Sequence, residues 1–168
     1  MATLSYDKQD HLTEWNASAT NQEWYMYDGA GQRVLRRSTN GTNTSLTVYA
    51  FGREEHSYTS TGSNQGNTYY YTLAGHLLGK SDGVSITFYQ TDLLGSVVAD
   101  LSNTAGSAAV LGNEVYGPYG KQRYHQGTHG TPKGFTGQYN DTLIGLDYYN
   151  TRLLRPSGGG LPCRNNVR

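Results

Sequence analysis

The segment Tyr27-Asp28-Gly29-Ala30-Gly31-Gln32-Arg33-Val34 decides the fold, because an aromatic residue, a turn signal and an apolar residue follow one another within it. Asp or Asn followed by Gly is typical of hairpin turns, since glycine readily adopts the positive φ that these turns need. The next residues, Val34-Leu35-Arg36-Arg37, have the composition of a strand that leaves the turn. The segment therefore predicts a β-hairpin.

The same pattern recurs along the chain at intervals of about 20 residues. Tyr6-Asp7 stands 21 positions before Tyr27-Asp28, and Tyr49, Tyr70 and Tyr89 continue the series at intervals of 22, 21 and 19. The later copies lack the aspartate. A single hairpin is not stable by itself, whereas stacked neighbours are. Residues 1–125 are therefore predicted to form a continuing row of antiparallel hairpins.

Two further stretches favour strands over helices. Val84, Ile86 and Phe88 alternate with polar residues, which places them on one face of a strand. The nearest candidate for a helix is residues 93–99, but Gly95 and two adjacent valines within it favour a strand. No long amphipathic helix is indicated.

Composition supports β-structure and argues against several classes of partner. The 168 residues include 22 Gly and 15 Tyr, and 13 Lys and Arg balance 13 Asp and Glu. This balance gives no electrostatic case for nucleic acid or an anionic membrane. No apolar run approaches the ~18 residues that a membrane span needs, and the first residues lack the basic and apolar regions of a signal peptide. A single cysteine, Cys163, excludes an intrachain disulfide.

Four motifs follow one another in residues 91–152. TDLLGSV at 91–97 is similar to "TDHLGSV", with Leu93 at the usual His position, and residues 115–120 are similar to "YxPFG". Residues 134–138 match "GFTGQ", and residues 145–152 are similar to "GLxYYxAR". Together the motifs resemble the core of the RHS/YD-repeat family, because four motifs in the right order are far more specific than any one of them.

The resemblance implies an all-β fold, an array of antiparallel hairpins (YD repeats) that forms a curved, spiralling sheet as part of an RHS-type shell. In many bacterial members such a shell encloses and delivers a C-terminal toxin, and animal teneurins reuse it for adhesion. The resemblance divides the chain into YD-repeat hairpins at 1–90, the RHS-associated core region at 91–152 and an aberrant flexible tail at 153–168. It implies a structural role, with no catalytic, cofactor-binding or metal residue and no cofactor.

The end of the chain departs from the family pattern. The family core continues as "ARYYDP", and aspartates there support self-cleavage in many toxin members; here Leu153-Leu154-Arg155-Pro156 follows Arg152. The missing aspartates predict that the chain does not cleave itself. A one-base shift of allowed codons for residues 153–159 restores Tyr-Tyr-Asp-Pro. We therefore expect a one-base insertion near codon 152, which would make the chain a truncated, toxin-less product; the alternative is ordinary divergence of a flexible tail.

Several patterns suggest chemistry but have simpler interpretations. Residues 75–81 (GHLLGKS) are one residue too short for a phosphate loop and precede the turn Asp82-Gly83 instead of a helix. His125 and His129 have helical metal-ligand spacing, but the glycines around them predict exposed loop histidines. Ser96 lacks the second glycine of a nucleophile elbow, and Cys163 has no indicated base. The basic pair Arg36-Arg37 indicates a solvated strand end.

The remaining alternative to a structural role is a binding module. Tyr69-Tyr70-Tyr71, Trp15, Trp24 and Tyr25 could stack on sugars of a cell-surface glycan, although cross-strand packing also explains them. The expected partners are the remainder of an RHS shell, or other copies of the chain joined through open sheet edges. Full-length relatives are expected to be secreted or at the cell surface.

Overall fold

The structure is a computed structural model that describes residues 2–103, 109–150 and 152–156. It is all-β, with fifteen strands and one short 3-10 helix, Phe135–Gly137, among the described residues. The strands are β1 (Thr3–Tyr6), β2 (Leu12–Ser18), β3 (Asn21–Tyr27), β4 (Arg33–Asn40), β5 (Asn43–Ala50), β6 (Glu54–Thr59), β7 (Asn64–Leu73), β8 (His76–Ser81), β9 (Ile86–Thr91), β10 (Val97–Ser102), β11 (Val110–Tyr116), β12 (Gln122–Gly127), β13 (Tyr139–Asp141), β14 (Leu146–Tyr149) and β15 (Arg152–Leu154).

Sequence neighbours are also sheet neighbours throughout. Strands β1 to β12 form one sheet in which each strand lies beside the next, and β13 to β15 form a second sheet with the same simple order. The pairs are antiparallel, as in the register that joins Trp24 of β3 to Arg37 of β4. The predicted all-β array of antiparallel hairpins is confirmed.

The chain divides into two compact units. The first comprises residues 1–72 and 79–86, and the second comprises residues 73–78 and 87–168. Tyr25 and Tyr70 are buried in the first unit, and Val97, Phe135 and Tyr148 are buried in the second. Tyrosines on strands therefore contribute to the core of each unit, and Tyr70 among them belongs to the repeat series.

Three hairpin turns share one aspartate-centred geometry. In Asp7, Asp28 and Asp92, Oδ1 accepts hydrogen bonds at 2.8–2.9 Å from the backbone N–H groups two and four residues further on. Each aspartate thus satisfies two amides that the tight turn leaves without a ladder partner. The aspartate of the TDLLGSV motif therefore performs the same task as the aspartate of the Tyr-Asp repeats.

The structure corrects two local expectations. Residues 93 and 94 are not in a strand: they form the turn after Asp92, Leu93 is 99% exposed, and β10 begins only at Val97. Val84 likewise lies in a turn, while Ile86 and Phe88 share the more exposed face of β9. Turn geometry, set by Asp92 and by a glycine with φ of +81°, outweighs the strand propensity of the neighbouring apolar residues.

The end of the described chain is a strand. Leu153 and Leu154, which sequence analysis assigned to a flexible tail, lie in β15 and pair with Tyr148 and Asp147 of β14. Residues 157–168, including Cys163 and most of the expected aberrant tail, lie outside the described residues. Among the described residues, no helix is long and apolar enough to cross a membrane.

Candidate functional site

The four sequence motifs meet in space within the second unit. The backbone N–H of Thr136 donates to Oγ of Ser96 at 3.1 Å, and the N–H of Val97 donates to the carbonyl of Gly134 at 3.1 Å. The hydroxyls of Thr136 and Tyr149 lie 2.6 Å apart. The GFTGQ motif is therefore tied to TDLLGSV on one side and to the GLDYY segment on the other.

The YGPYG segment joins the same cluster through close packing. The rings of Tyr116 and Phe135 have centroids 5.8 Å apart. A Cβ added at Gly120 would lie 2.7 Å from the Phe135 ring, and a Cβ added at Gly134 would lie 2.9 Å from the Tyr116 hydroxyl oxygen. Glycine is thus required where these two segments touch the aromatic pair, which explains why the motifs carry glycine at these positions.

A cavity of about 350 Å³ opens beside this cluster. Its lining is rich in polar and ionisable side chains, chiefly Glu114, Tyr116, His129, Asn140 and Asp147. A volume of this size lies at the lower end of the range for small-molecule sites. Two buried carboxylates, Glu114 and Asp147, therefore line this cavity.

Asp147 is the most perturbed carboxylate of the cavity. Its side chain is 3% exposed; Oδ1 accepts a hydrogen bond from the Asn140 amide at 2.8 Å, while the buried Oδ2 has no hydrogen-bond partner in the described part of the chain. Burial raises the pKa of Asp147 to about 6; the Asn140 amide opposes this shift, and the charge of Asp141 adds to it. Near neutral pH both protonation states of Asp147 are therefore accessible.

Two further buried acids contact residues that line the cavity: Asp100 lies beside His129, and Glu114, which itself lines the cavity, lies beside Tyr116. Oδ1 of Asp100 lies 3.0 Å from Nδ1 of His129, a distance that suits an ion pair although the angle is poor for a hydrogen bond. Burial opposes the charged imidazole, but Asp100, Glu114 and the Lys133 carbonyl together raise the pKa of His129. Glu114 accepts hydrogen bonds from the Tyr116 hydroxyl and from the Gln122 amide, and burial together with Glu114 raises the pKa of Tyr116.

This arrangement has one feature that acid–base chemistry requires. A carboxyl with a pKa near the working pH can both accept and donate a proton, and a second carboxylate nearby, Asp141, favours its protonated form. The sequence did not predict these acids, because only burial distinguishes them from solvated ones: Asp100, Glu114, Asp141 and Asp147. The one available signal was that Asp147 interrupts the hydrophobic run Leu146-Asp147-Tyr148-Tyr149.

The structure separates the candidate metal ligands His125 and His129. His125 lies on β12 and contacts Glu114 at 3.0 Å, while His129 follows the strand and pairs with Asp100. The expectation of two exposed loop histidines is therefore correct only in part: His125 is exposed but lies on a strand, whereas His129 lies in a loop but its side chain is only 12% exposed. Among the described residues, no group of three or more His, Cys, Asp or Glu side chains could hold a metal ion.

The remaining candidate residues, which the sequence suggested for phosphate binding, nucleophilic catalysis or a basic patch, contribute to strands, turns and buried contacts. Residues 76–81 form β8, so the stretch that resembles a phosphate loop is a turn and a strand. Ser96 is fully buried at the end of a hairpin turn and accepts the hydrogen bond from Thr136. Arg36 is not a solvated strand end, because its guanidinium pairs with the fully buried Glu23.

A second cleft, of about 340 Å³, lies in the first unit. We refer to it as the Trp24 cleft; its lining residues are Glu14, Gln22, Trp24, Arg37 and Thr39. The candidate aromatic residues divide between exposed and buried positions, since Trp24 and Tyr71 are 44% and 51% exposed whereas Tyr25 and Tyr70 are buried. The predicted cross-strand packing thus accounts for two of these aromatic side chains and leaves Trp24 open to solvent.

Solved structures of Tc toxin complexes contain a similar fold. The chain is similar to part of TcdB2-TccC3, with a TM-score of 0.74 and 20% identity over 95% of this chain and 9% of that chain. TcdB2-TccC3-Cdc42 gives the same values. The Photorhabdus luminescens Tc holotoxin pore with a substituted TccC3 gives a TM-score of 0.76 and 19% identity over 92% of this chain and 8% of that chain.

At these identities the likeness shows the fold alone, an RHS-like β-sheet. The chain spans less than a tenth of the length of the structures that it matches. No protein-family model and no curated protein matches the chain.

Proposed function

We propose that the chain is a non-enzymatic wall segment of an RHS-type shell. The observation that carries this proposal is the unbroken order of β1 to β12, in which each strand lies beside the next. Among the residues that the structure describes, each terminal strand has a sheet neighbour on one side only. Such a sheet extends by adding strands, which is what a wall built from repeats requires. The likeness to multi-component Tc toxin complexes supports the same role.

The experiment that tests the wall role measures association through the terminal strands. An unpaired strand edge is a template for another strand, so the purified chain should associate as its concentration rises in sedimentation velocity. Leu4→Lys in β1 and Tyr124→Lys in β12 place a charge on partly exposed positions of the two edges. Each should weaken association by roughly tenfold or more.

Val84→Lys is the matched control, because Val84 is 97% exposed in a turn and not on an edge strand. It should leave association unchanged. A chain that remains monomeric at every concentration, or a control that weakens association as much as the edge variants do, would contradict the wall role.

Self-cleavage is the second candidate, and the carboxyl of Asp147 is the observation that favours it. Its pKa of about 6 suits an acid–base group, whereas the aspartates of the family ending are missing after Arg152. The leading proposal expects one intact mass after prolonged incubation of the purified chain between pH 5 and pH 8. Two fragments that disappear in Asp147→Asn would establish the second candidate instead.

We further propose that the longer protein encloses a toxin, and that a frameshift separates this chain from it. The support is the family ending that a one-base shift restores after Arg152. The nucleotide sequence through codons 150–168 tests this directly. Codons that read Tyr-Tyr-Asp-Pro in the shifted frame and continue into a further domain would support a truncated carrier; codons that forbid that reading would exclude it. A secreted or cell-surface location belongs to the same proposal.

A further inference from the structure

The Trp24 cleft is built from one row of side chains across three strands. Glu14 of β2 is paired with Trp24 of β3, and Trp24 is paired with Arg37 of β4. Residues that lie directly opposite one another in antiparallel strands project from the same face of the sheet, about 5 Å apart. The indole therefore has a carboxylate on one side and a guanidinium on the other. Gln22 and Thr39 form a second paired row beside it.

The groups of this row are available to a ligand. Trp24 is 44% exposed. Within the described part of the chain, the guanidinium of Arg37 has no hydrogen bond or ion pair, and the carboxylate of Glu14 accepts one hydrogen bond, from the Asn16 amide at 3.2 Å. The equivalent row on the opposite face is not available to a ligand. Glu23 in that row is fully buried, and its carboxylate already accepts hydrogen bonds from the side chains of Arg36, Ser38 and Tyr25. The two faces thus differ in whether their polar groups are already satisfied.

An open indole with a donor and an acceptor on its two sides suits a particular class of ligand. The ring face offers a flat apolar platform, which matches the C–H face of a pyranose ring. The guanidinium donates hydrogen bonds in a fixed fork and the carboxylate accepts them, so adjacent hydroxyls of one sugar ring can be bound from both sides. The two charges cancel, which favours an uncharged sugar over an acidic one.

We propose that the Trp24 cleft binds a neutral pyranose residue of a polysaccharide. The cavity of about 340 Å³ is large enough for a single small ring and lies at the lower end of ligand-site volumes. Binding is expected to be weak, with a Kd of about 1 mM, because the cleft is open and offers one aromatic platform. The proposal is independent of the wall role, since it concerns a sheet face and not a sheet edge.

The two tryptophans give a direct reporter of the site. Trp15 is paired with Glu23, so it lies on the face opposite to Trp24. Trp15→Phe therefore leaves the cleft intact and makes Trp24 the only tryptophan in the chain. In this background we would titrate cellohexaose, maltohexaose and mannohexaose, and a hexamer of galacturonate as the acidic counterpart. The readouts are Trp24 fluorescence, its protection from acrylamide quenching, and titration calorimetry.

The expected result is saturable protection of Trp24 by at least one neutral hexamer and weaker binding of the acidic one. In calorimetry with otherwise unaltered protein, Trp24→Ala should weaken binding by about tenfold or more, whereas Trp24→Phe, which keeps an aromatic platform, should weaken it by only a few-fold. Arg37→Gln and Glu14→Gln should each weaken it several-fold. Met26→Ala is the matched control, because Met26 is 46% exposed on the same strand outside the cleft; it should bind normally.

The proposal is overturned if none of the neutral hexamers binds, or if Trp24→Ala binds as well as the unaltered chain. It is also overturned if the acidic hexamer binds more tightly and Arg37→Gln alone abolishes that binding, because the cleft would then recognise charge and not a neutral ring. Circular dichroism of each variant separates loss of the site from loss of the fold. Failure of sugar binding with normal edge association would leave the wall role standing.

Discussion

At the scale of single residues, Phe51 is in a conformation that its side chain disfavours. Phe51 and Gly52 are the central residues of the turn between β5 and β6, with φ of +53° and +66°, and the Arg53 N–H donates to the Ala50 carbonyl at 3.0 Å. The left-handed region costs an L-residue about 1–2 kcal/mol, whereas Asn tolerates it better and Asn-Gly is the favoured pair in such turns. The side chain of Phe51 is 94% exposed, so little packing is at stake.

Phe51→Asn should therefore stabilise the chain by about 0.5–1 kcal/mol. Urea unfolding would show a higher midpoint with an unchanged slope. Phe51→Ala is the control, since it removes the ring but keeps a Cβ in the left-handed region, and it should give no gain. A stabilisation of equal size in the alanine variant would mean that removal of the exposed ring, and not relief of backbone strain, is responsible.

Asp147 makes the stability of the folded chain depend on pH in a defined direction. Because burial raises the pKa of Asp147 from 3.8 to about 6, the folded chain holds this proton more tightly than the unfolded chain does. The contribution of this group is therefore fully present below about pH 4 and is lost as pH rises from about 4 to about 6. Asparagine cannot ionise, so Asp147→Asn keeps its stability as the pH rises through this range. It should be more stable than the unaltered chain at pH 7 by about 1 kcal/mol, a figure discounted for solvent screening.

The measurement is the difference in the free energy of unfolding between the variant and the unaltered chain at pH 4, 5, 6 and 7. That difference should grow with pH in favour of Asp147→Asn. Asp82→Asn is the control: hydrogen bonds from Ser85 and Val84 lower the pKa of this exposed carboxyl to about 2, so it should add no slope between pH 4 and pH 6. A constant difference for Asp147→Asn would contradict the raised pKa.

At the scale of secondary-structure elements, the repeat explains what the sequence could and could not predict. The hairpin around Asp28 was predictable because an aspartate, a glycine and an outgoing apolar strand are local signals. The hairpin around Asp7 has no glycine and was predictable because its Tyr-Asp pair stands one repeat interval earlier. The turn at Asp92 was read as a strand, since its two leucines obscured the same aspartate geometry. When an aspartate side chain accepts hydrogen bonds from the backbone N–H groups of a turn, the turn can tolerate apolar residues at its tip. Leu93 lies at such a tip and is almost fully exposed.

The candidate site was harder to predict than the strands for a physical reason. Ser96 and Thr136 are 40 positions apart, and their hydrogen bond depends on how the hairpin, the 3-10 helix and the small sheet pack together. No periodicity in the sequence encodes that approach. The motifs indicated which segments belong together, but the burial of Asp100 and Asp147 follows only from the packing. Burial in turn raises the pKa of Asp147.

The contact between Gly120 and the ring of Phe135 should be sensitive to one added methyl group, measured as a loss of stability. Gly120 has φ of +80°, and a Cβ there would overlap the buried ring of Phe135. Gly120→Ala combines left-handed strain with overpacking and should destabilise the second unit by about 2–4 kcal/mol. Gly41→Ala is the matched control, because Gly41 has φ of +64° with open space around its Cβ position; it should cost only about 1 kcal/mol. Equal losses in urea unfolding would show that the contact with Phe135 does not matter.

At the scale of the whole molecule, the array predicts that stability is unevenly distributed along the chain. In a row of hairpins each strand is held by its sequence neighbours, so stability is a sum of local terms and not the property of one shared core. Within the described part of the chain, β1 is paired with β2 alone, whereas β4 is paired on both sides, with β3 and with β5. The terminal strand should therefore open more often than the inner strand.

Native-state hydrogen exchange checks this expectation strand by strand. Amides of β1 should exchange at least tenfold faster than those of β4, because opening β1 breaks one ladder and opening β4 breaks two. Leu4→Lys, which weakens the terminal strand, should speed exchange in β1 and β2 while leaving β4 nearly unchanged. If β1 and β4 exchanged at one common rate in the unaltered chain, the first unit would unfold as a single cooperative body. The chain would then behave as a closed domain whose stability is not a sum of local terms. That result would contradict the main physical reason for proposing a wall that grows by adding strands.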